Sequence, residues 1–304
     1  MKQELRIIIT QACNYNCYFC HHEGIREKKQ DNLTTEDVAY IFKVAKQYLG
    51  IETITITGGE PLLLNNIVDI TKQLKGLGCK TTIVTNGSLL DKRKDIANYI
   101  SKLNISLHSL KKEKYEKVVG KKECLDKVIN NIIMIRKKYP NVEINLNYAL
   151  INDKELFKNI DDILMFAKEN NVNIKFIELF PKKCKEYIAL EEIHKYLQEK
   201  GYDLRETDER KNKFSNSYDK SYVYTTKCLC SRALDFESAT AFCKKTNDIF
   251  ITPEGNAKIC RLKNEEIKLV DSIKKRDDIE LGKRLKMAFE QMGNKCPLEK
   301  MNKK

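Results

Sequence analysis

No stretch of this chain is apolar for long enough to cross a membrane, which takes about 20 predominantly apolar residues in one helix. Nor does the start, Met1-Lys2-Gln3-Glu4, carry the apolar core of a secretory signal; it runs straight into a strand pattern. Both absences point to the cytoplasm. Glycine and proline are sparse, at 12 and 5 of 304 residues, which excludes collagen-like and low-complexity classes. With 41% apolar and 33% charged residues, the composition suits a helix-rich globule with material for a sizeable core. There is no internal repeat beyond a strand–helix alternation, no RNA-binding motif and no basic stripe interleaved with aromatics. The net charge of +13 favours an anionic partner. Its spread through mixed Lys/Glu helices leaves nucleic acid without specific support.

What the chain does have is cysteine. Eleven of them in a chain read as cytoplasmic are expected to ligate metal rather than pair as disulfides. Spacing sorts them. Cys13, Cys17 and Cys20 share one short stretch, Cys228, Cys230, Cys243 and Cys260 fall in another, and Cys79, Cys124, Cys184 and Cys296 stand alone as packing residues. The first group directly follows the apolar run Leu5 to Thr10. Three thiolates in one loop can hold a [4Fe–4S] cluster with one iron left open, whereas structural zinc takes four protein ligands. A zinc loop completed by His21 or His22, and three plain thiols, are the competing readings.

Periodicity gives the architecture. Leu33-Thr34-Thr35-Glu36-Asp37 reads as a capped helix start, and Ile51 to Thr57 alternates as a β-branched strand ending in Gly58-Gly59-Glu60-Pro61. Helix Ile67 to Leu77, strand Thr81 to Thr85, the turn Asn86-Gly87, a further helix and strand Leu103 to His108 follow. Helix Cys124 to Tyr139, strand Val142 to Tyr148, helix Leu156 to Glu169 and strand Val172 to Glu178 complete six β/α units. Such alternation implies parallel pairing with right-handed crossovers. The expected fold is α/β, a partial (β/α)6 barrel of the TIM type over residues 1–182, with a Cys-rich extension over 183–304. Leu190 to Glu199 reads as one more helix, Asp203 to Thr226 as loop, Ile249 to Cys260 as a hairpin and Leu281 to Met292 as a last helix. Function is expected at the strand C-terminal ends, where the Cys loop, Gly58-Gly59-Glu60-Pro61, Thr85-Asn86-Gly87 and Ser106 to Ser109 all fall.

The three-cysteine loop with Phe19 before its last cysteine, followed one strand later by Gly58-Gly59-Glu60-Pro61, resembles the radical S-adenosylmethionine (SAM) superfamily. That resemblance implies a cluster on Cys13, Cys17 and Cys20, with SAM on the open iron. It also implies reductive cleavage of SAM to methionine and a 5′-deoxyadenosyl radical that abstracts hydrogen from substrate. By position it carries over Gly58, Gly59 and Glu60 as contacts to the SAM amino group and Phe19 as a neighbour of adenine. Thr85, Asn86 and Ser106 carry over as further SAM contacts. A flavodoxin- or ferredoxin-type electron donor is implied as well. Of the histidines, His21, His22 and His108 face the expected site and His194 reads as structural.

Within the superfamily the chain is similar to MoaA-type GTP 3′,8-cyclases, in Leu5 to Cys20, Thr57 to Leu64, Asn104 to Ser109 and Phe176 to Leu179. Cys243, Asn247, Thr252, Gly255 and Cys260 fall in register with that family's second cluster site. Thr246 replaces its middle cysteine, Asp248 and Phe250 stand where it has two arginines, Ala12 where it has another, and Lys303-Lys304 replaces its Gly-Gly end. The resemblance therefore implies a second Fe–S cluster, completed by Cys228 or Cys230, with zinc as the competing occupant. Arginines suit phosphate, so their loss implies an anionic, nucleotide-like substrate other than GTP. Competing readings are a peptide-modifying enzyme, for which no room for a leader-recognition domain is expected before residue 5, GTP cyclisation itself, and a non-catalytic Fe–S or zinc protein.

Overall fold

The first strand has two buried faces. In β1 (Glu4–Thr10), Leu5, Ile7 and Ile9 enter the main core, while Ile8 packs apart from it with Ile25 and Phe250. Burial on both sides is what a strand inside a parallel sheet requires. The computed structural model describes residues 4–25, 27, 30–179, 187–208, 211–228, 230, 243, 248–292 and 296. After β1 come α1 (Thr35–Leu49), β2 (Thr53–Gly58), α2 (Ile67–Gly76), β3 (Lys80–Thr85) and β4 (Lys102–Ser106). They are followed by α3 (Lys112–Val119), α4 (Leu125–Lys138), β5 (Glu143–Ala149), α5 (Leu156–Asn170) and β6 (Asn173–Ile177). Thr34 and Asp37 form the expected capping box of α1, and Gly50 ends that helix at φ 65°.

Two differences from the sequence reading matter for the site. The helix expected after Gly87 is only a 3₁₀ turn, Lys94–Asn98, because Asp91 to Lys94 are four charges in a row and leave no apolar stripe of helical period. In its place α3 appears after β4, short and unforeseen, with Tyr115, Val118 and Val119 buried and Gly120 closing it at φ 63°.

The stretch expected as loop from Asp203 forms β7 (Asp203–Thr207), β8 (Lys211–Ser215) and β9 (Val223–Thr226). Its strand character was hidden because every β7 residue is exposed and the only inward anchors are those of β8 and β9, chiefly Phe214 and Val223. The expected helix α6 (Leu190–Glu199) precedes them. Then β10 (Asp248–Ile251) and β11 (Ala257–Lys258) pair antiparallel as the foreseen hairpin, followed by β12 (Glu266–Ile267), α7 (Val270–Lys274) and α8 (Asp278–Glu290).

Among the described residues the strands run β12-β11-β10-β1-β2-β3-β4-β5-β6-β9-β8-β7. From β10 to β9 all neighbours are parallel. The open six-stranded barrel is thus widened at both edges, by β10 against β1 and by β9 against β6. No described helix is long and apolar enough to cross a membrane.

Candidate active site

The cysteine loop is hung from its neighbours first by backbone hydrogen bonds. Gly59 N–H donates to Thr10 O and Glu60 N–H to Ala12 O, both at 2.8 Å. A Cβ on Gly58 would lie 2.3 Å from Thr10 O, and one on Gly59 2.2 Å from Ala12 O. The absence of a side chain on these two glycines, carried over as contacts to the SAM amino group, is what lets the backbone entering the Cys loop approach so closely. From the other side Asn16 N–H donates to Val119 O at 2.9 Å and Tyr18 N–H to Val118 O at 3.3 Å. Gly120 meets the loop closely too, 2.6 Å from Asn16 O to its notional Cβ. The C-terminus of α3 is therefore part of the site. Its sequence signal was Tyr115, Val118 and Val119 at helical spacing before a glycine.

Glu60 is fully buried and its carboxylate has three donors. Oε1 accepts from Leu62 N–H at 3.0 Å and from the Thr85 hydroxyl at 2.7 Å, and Oε2 from Asn86 N–H at 2.6 Å. Burial pushes its pKa up to about 7 against those donors. Asn86 in turn donates from Nδ2 to Asn14 Oδ1 at 2.8 Å, Asn14 Nδ2 donates to Ser88 Oγ at 3.0 Å, and Ser88 N–H returns to Asn86 Oδ1 at 2.9 Å. Glu60, Thr85 and Asn86, carried over as SAM contacts, thus spend these groups on one another and on the residue beside Cys13.

Cys13 and Cys20 are exposed, Cys17 half-buried, and all three are free thiols. Burial raises each thiol, Cys17 to about 12, and for Cys13 and Cys17 the neighbouring thiols of the loop add to it. The bare loop therefore keeps its protons, as expected of a site that needs a cation to hold thiolates. Tyr15 N–H donates to Cys13 Sγ and His22 N–H to Cys20 Sγ, each at 3.4 Å. Donors of this kind suit ligating sulfur. Among the described residues no three His, Cys, Asp or Glu side chains converge as ligands of a single ion must. The thiolates of a four-iron cube sit on different irons and do not ask for such convergence. The donor set fits the cluster.

Phe19 meets His108 edge to face at 5.0 Å between centroids. His108 is buried, its Nδ1 accepts from Ala149 N–H at 3.1 Å, and burial lowers its pKa to about 4. It is a neutral imidazole with its proton on Nε2. Ser106, half-buried at the end of β4, stands in register with Asn147. His194 contacts Thr225 and Asn212 away from the loop.

In the C-terminal part Cys228, Cys230, Cys243 and Cys260 are half-buried and in no disulfide. Cys228 raises the Cys230 thiol through a hydrogen bond, and Cys260 and Arg261 also act on it, so three of the four share one neighbourhood. Leu262 N–H donates to Cys260 Sγ at 3.3 Å, the same turn as at Cys13 and Cys20. Glu178, buried at the end of β6, accepts from Cys228 N–H at 3.2 Å and the Tyr187 hydroxyl at 2.9 Å. Sequence reading had no role for it. Thr246, Asn247 and the Lys303-Lys304 end lie outside the described residues. Asp248 is buried and pairs in register with Glu4, and Phe250 is buried between Arg261 and Arg6, 4.5 and 5.5 Å from its centroid.

The sequence model of the Radical SAM superfamily matches residues 7–167. A probable GTP 3′,8-cyclase of Sulfurisphaera tokodaii is 31% identical over 302 residues, covering 95% of this chain and 90% of that protein. The GTP 3′,8-cyclase of Limosilactobacillus fermentum is 31% identical over 280 residues, covering 86% and 80%. In fold, Streptococcus suis SuiB bound to S-adenosylmethionine superimposes with a TM-score of 0.65 at 16% identity, over 88% of this chain and 63% of SuiB. The anSMEcpe structure with bound AdoMet does so with a TM-score of 0.60 at 14% identity, over 94% and 83%. The family match spans the elements that suspend the three thiols, and this chain belongs to the radical SAM superfamily, whose members work with a [4Fe–4S] cluster and SAM.

Proposed function

We propose that this radical SAM enzyme takes a nucleotide-like or otherwise anionic small molecule into its open barrel. Cys13, Cys17 and Cys20 would hold the cluster. Phe19, Gly58, Gly59, Glu60, Thr85, Asn86 and Ser106 would form the SAM pocket, the last five through the wall they build as much as by contact. When bound, cluster and SAM supply reductive C–S cleavage and a radical able to take hydrogen from carbon. The chain supplies placement. Glu60 and Asn14 fix the turn beside the loop, and Phe19 with neutral His108 closes one flank without bringing charge.

The observation that carries the substrate class is the inner face of the sheet. Leu103, Ile105, Ile144, Leu146, Ile174 and Phe176 face the core under the helices, so the alternate residues line the barrel. There Asn145 donates to Asn104 and Asn173 to Asn145, each at 3.0 Å. The next row sets Ser106, Asn147, Lys175 and Tyr224 in register. A wall of amides, hydroxyls and an ammonium group suits a polar anion and repels an apolar one.

Three further readings belong to the same proposal. A second Fe–S cluster sits on Cys228, Cys230, Cys243 and Cys260, supported by the shared neighbourhood and the repeated sulfur turn. The barrel of residues 1–182 carries the radical site and 183–304 carries that cluster. Electrons arrive from a flavodoxin- or ferredoxin-type donor in the cytoplasm. The relatives' name makes GTP the first nucleotide to test. Asp248 and Phe250, both buried and neither cationic, predict that it is a poor substrate. In the test, anaerobically reconstituted and reduced protein is given SAM with a panel of nucleotides, and 5′-deoxyadenosine is counted. SAM cleavage raised by a nucleotide other than GTP is the expected result. Robust 3′,8-cyclisation of GTP would overturn the substrate assignment, and no cleavage at all by cluster-loaded protein would overturn the enzyme reading.

A further inference from the structure

The turn after Cys20 is built against its own backbone preference. His22, Glu23 and Gly24 all have positive φ, at 48°, 51° and 80°, and the left-handed region costs a non-glycine residue about 1 kcal/mol or more. A side chain only 12% exposed, that of Glu23, holds it there. Glu23 Oε1 accepts from the Thr57 hydroxyl at 2.8 Å and lies 4.0 Å from Arg6 Nη2, while Oε2 lies 3.3 Å from Arg261 Nη2. Thr57 directly precedes Gly58 and Arg261 directly follows Cys260. Gly24 is pressed on the same segment, since a Cβ there would lie 2.5 Å from Arg261 O. Arg6 and Arg261 both stack on Phe250, roofing the small apolar cluster of Ile8, Ile25 and Phe250. One carboxylate thus ties the exit of the Cys13–Cys20 loop, the end of β2 and the segment that carries Cys260.

We propose that Glu23 is a positioning residue which, through Arg261, couples the Cys260 segment to the Cys13–Cys20 loop, so that an ordered Cys260 segment tightens SAM binding at the loop. The inference rests on the SAM-binding reading above. Strain concentrated in one turn, anchored by one carboxylate, is what lets a change at Cys260 reach Cys20 without crossing the barrel. Loss of the anchor leaves the left-handed turn free to relax.

The first arm of the test uses the metal-free full chain under anaerobic conditions. Glu23→Gln and Arg261→Ala are expected to speed alkylation of Cys20 by iodoacetamide roughly 5-fold or more. Arg261→Lys keeps a charge beside Glu23 but loses the stacking on Phe250, so it should fall between the parent and Arg261→Ala. Buried Cys124 should not change, which controls for unfolding. The second arm uses reconstituted protein with its iron counted, and reads SAM affinity from the change SAM makes in the cluster's EPR spectrum. Glu23→Gln and Cys260→Ser are each expected to weaken SAM about 5-fold, and the double variant no further than the weaker single one. Parent-like alkylation of Cys20 in both variants, parent-like SAM affinity in Glu23→Gln, or additive losses in the double variant would overturn the coupling. A parent protein whose cluster spectrum ignores SAM would instead overturn the function proposed above.

Discussion

Glu60 offers a decisive perturbation because an amide cannot replace its carboxylate in any orientation. Two of its three donors are backbone N–H groups with no freedom to turn, Leu62 on Oε1 and Asn86 on Oε2. In Glu60→Gln the amide nitrogen must face one of them, donor against donor. A buried N–H left unmade costs about 1–3 kcal/mol, and the side chain is fully buried, so solvent offers no relief. Glu60→Gln should therefore lower the unfolding free energy of the metal-free chain by about 2 kcal/mol, and Glu60→Ala, which orphans both N–H groups and opens a cavity, by about 3–4 kcal/mol. Urea unfolding at pH 8 measures both. The alternative role, a direct contact from the carboxylate to the SAM amino group, predicts the opposite division: unchanged stability without ligands and weakened SAM affinity with them. Metal-free Glu60→Gln within about 0.5 kcal/mol of the parent would refute the strut.

Gly59→Ala drives a Cβ to 2.2 Å from Ala12 O, a backbone atom that cannot yield, and should cost about 3 kcal/mol; a melting temperature equal to the parent's would refute it. Replacing Cys13, Cys17 and Cys20 together by Ala should leave iron on the C-terminal cysteines, and a folded variant with no iron at all would remove the second cluster. Burial raises the Glu23 carboxyl, but Arg261 and Arg6 prevail and bring it from 4.5 to about 2. Its contribution of about 3 kcal/mol is therefore complete above pH 4.5 and lost as pH falls toward 2. Glu23→Gln should flatten that limb of the acid-denaturation curve, and an unchanged curve would contradict the ion pairs. Asp37, whose side chain is 2% exposed, meets Lys274 at 2.6 Å and Arg276 at 3.0 Å. Asp37→Asn should cost only about 1 kcal/mol in urea, since both bases are largely solvated.

The sequence was most informative where local rules act alone. The capped helix start at Thr34, the strand expected over Ile51 to Thr57, which forms as Thr53–Gly58, and the hairpin within Ile249 to Cys260 all appear, because caps, β-branching and turn residues operate within a few positions. The loop cysteines were legible from spacing, and their family from the motif one strand later. What escaped the reading depends on distant partners. Glycines 58 and 59 look the same in sequence whether the close neighbour is a ligand or Thr10 and Ala12. Nothing near Glu60 in the chain announces that Thr85 and Asn86 are folded against its carboxylate. Strand β7 lies at the edge of the sheet with every residue exposed, β8 and β9 are anchored by little more than Phe214 and Val223, and β9 and β10 join the parallel array without the helices that announced the first six. Glu23 and Arg261 are far apart in the chain and no periodicity connects them.

The pairing of β1 with β10 also sets a timetable. During synthesis β1 emerges ahead of its sheet neighbours and finds β2 within a few dozen residues, yet its other edge, from Glu4 to Ile7, has no partner until Asp248 to Ile251 are made. For most of translation the nascent sheet exposes a bare row of backbone groups on an apolar strand, an invitation to pair with other chains. Closing that edge needs a very long-range contact, the kind whose loop-closure entropy slows folding. Residues 248–251 therefore act as an internal gatekeeper: a ribosome stalled before them releases a sticky half-sheet, and one that passes them releases an enzyme scaffold whose first strand is sealed.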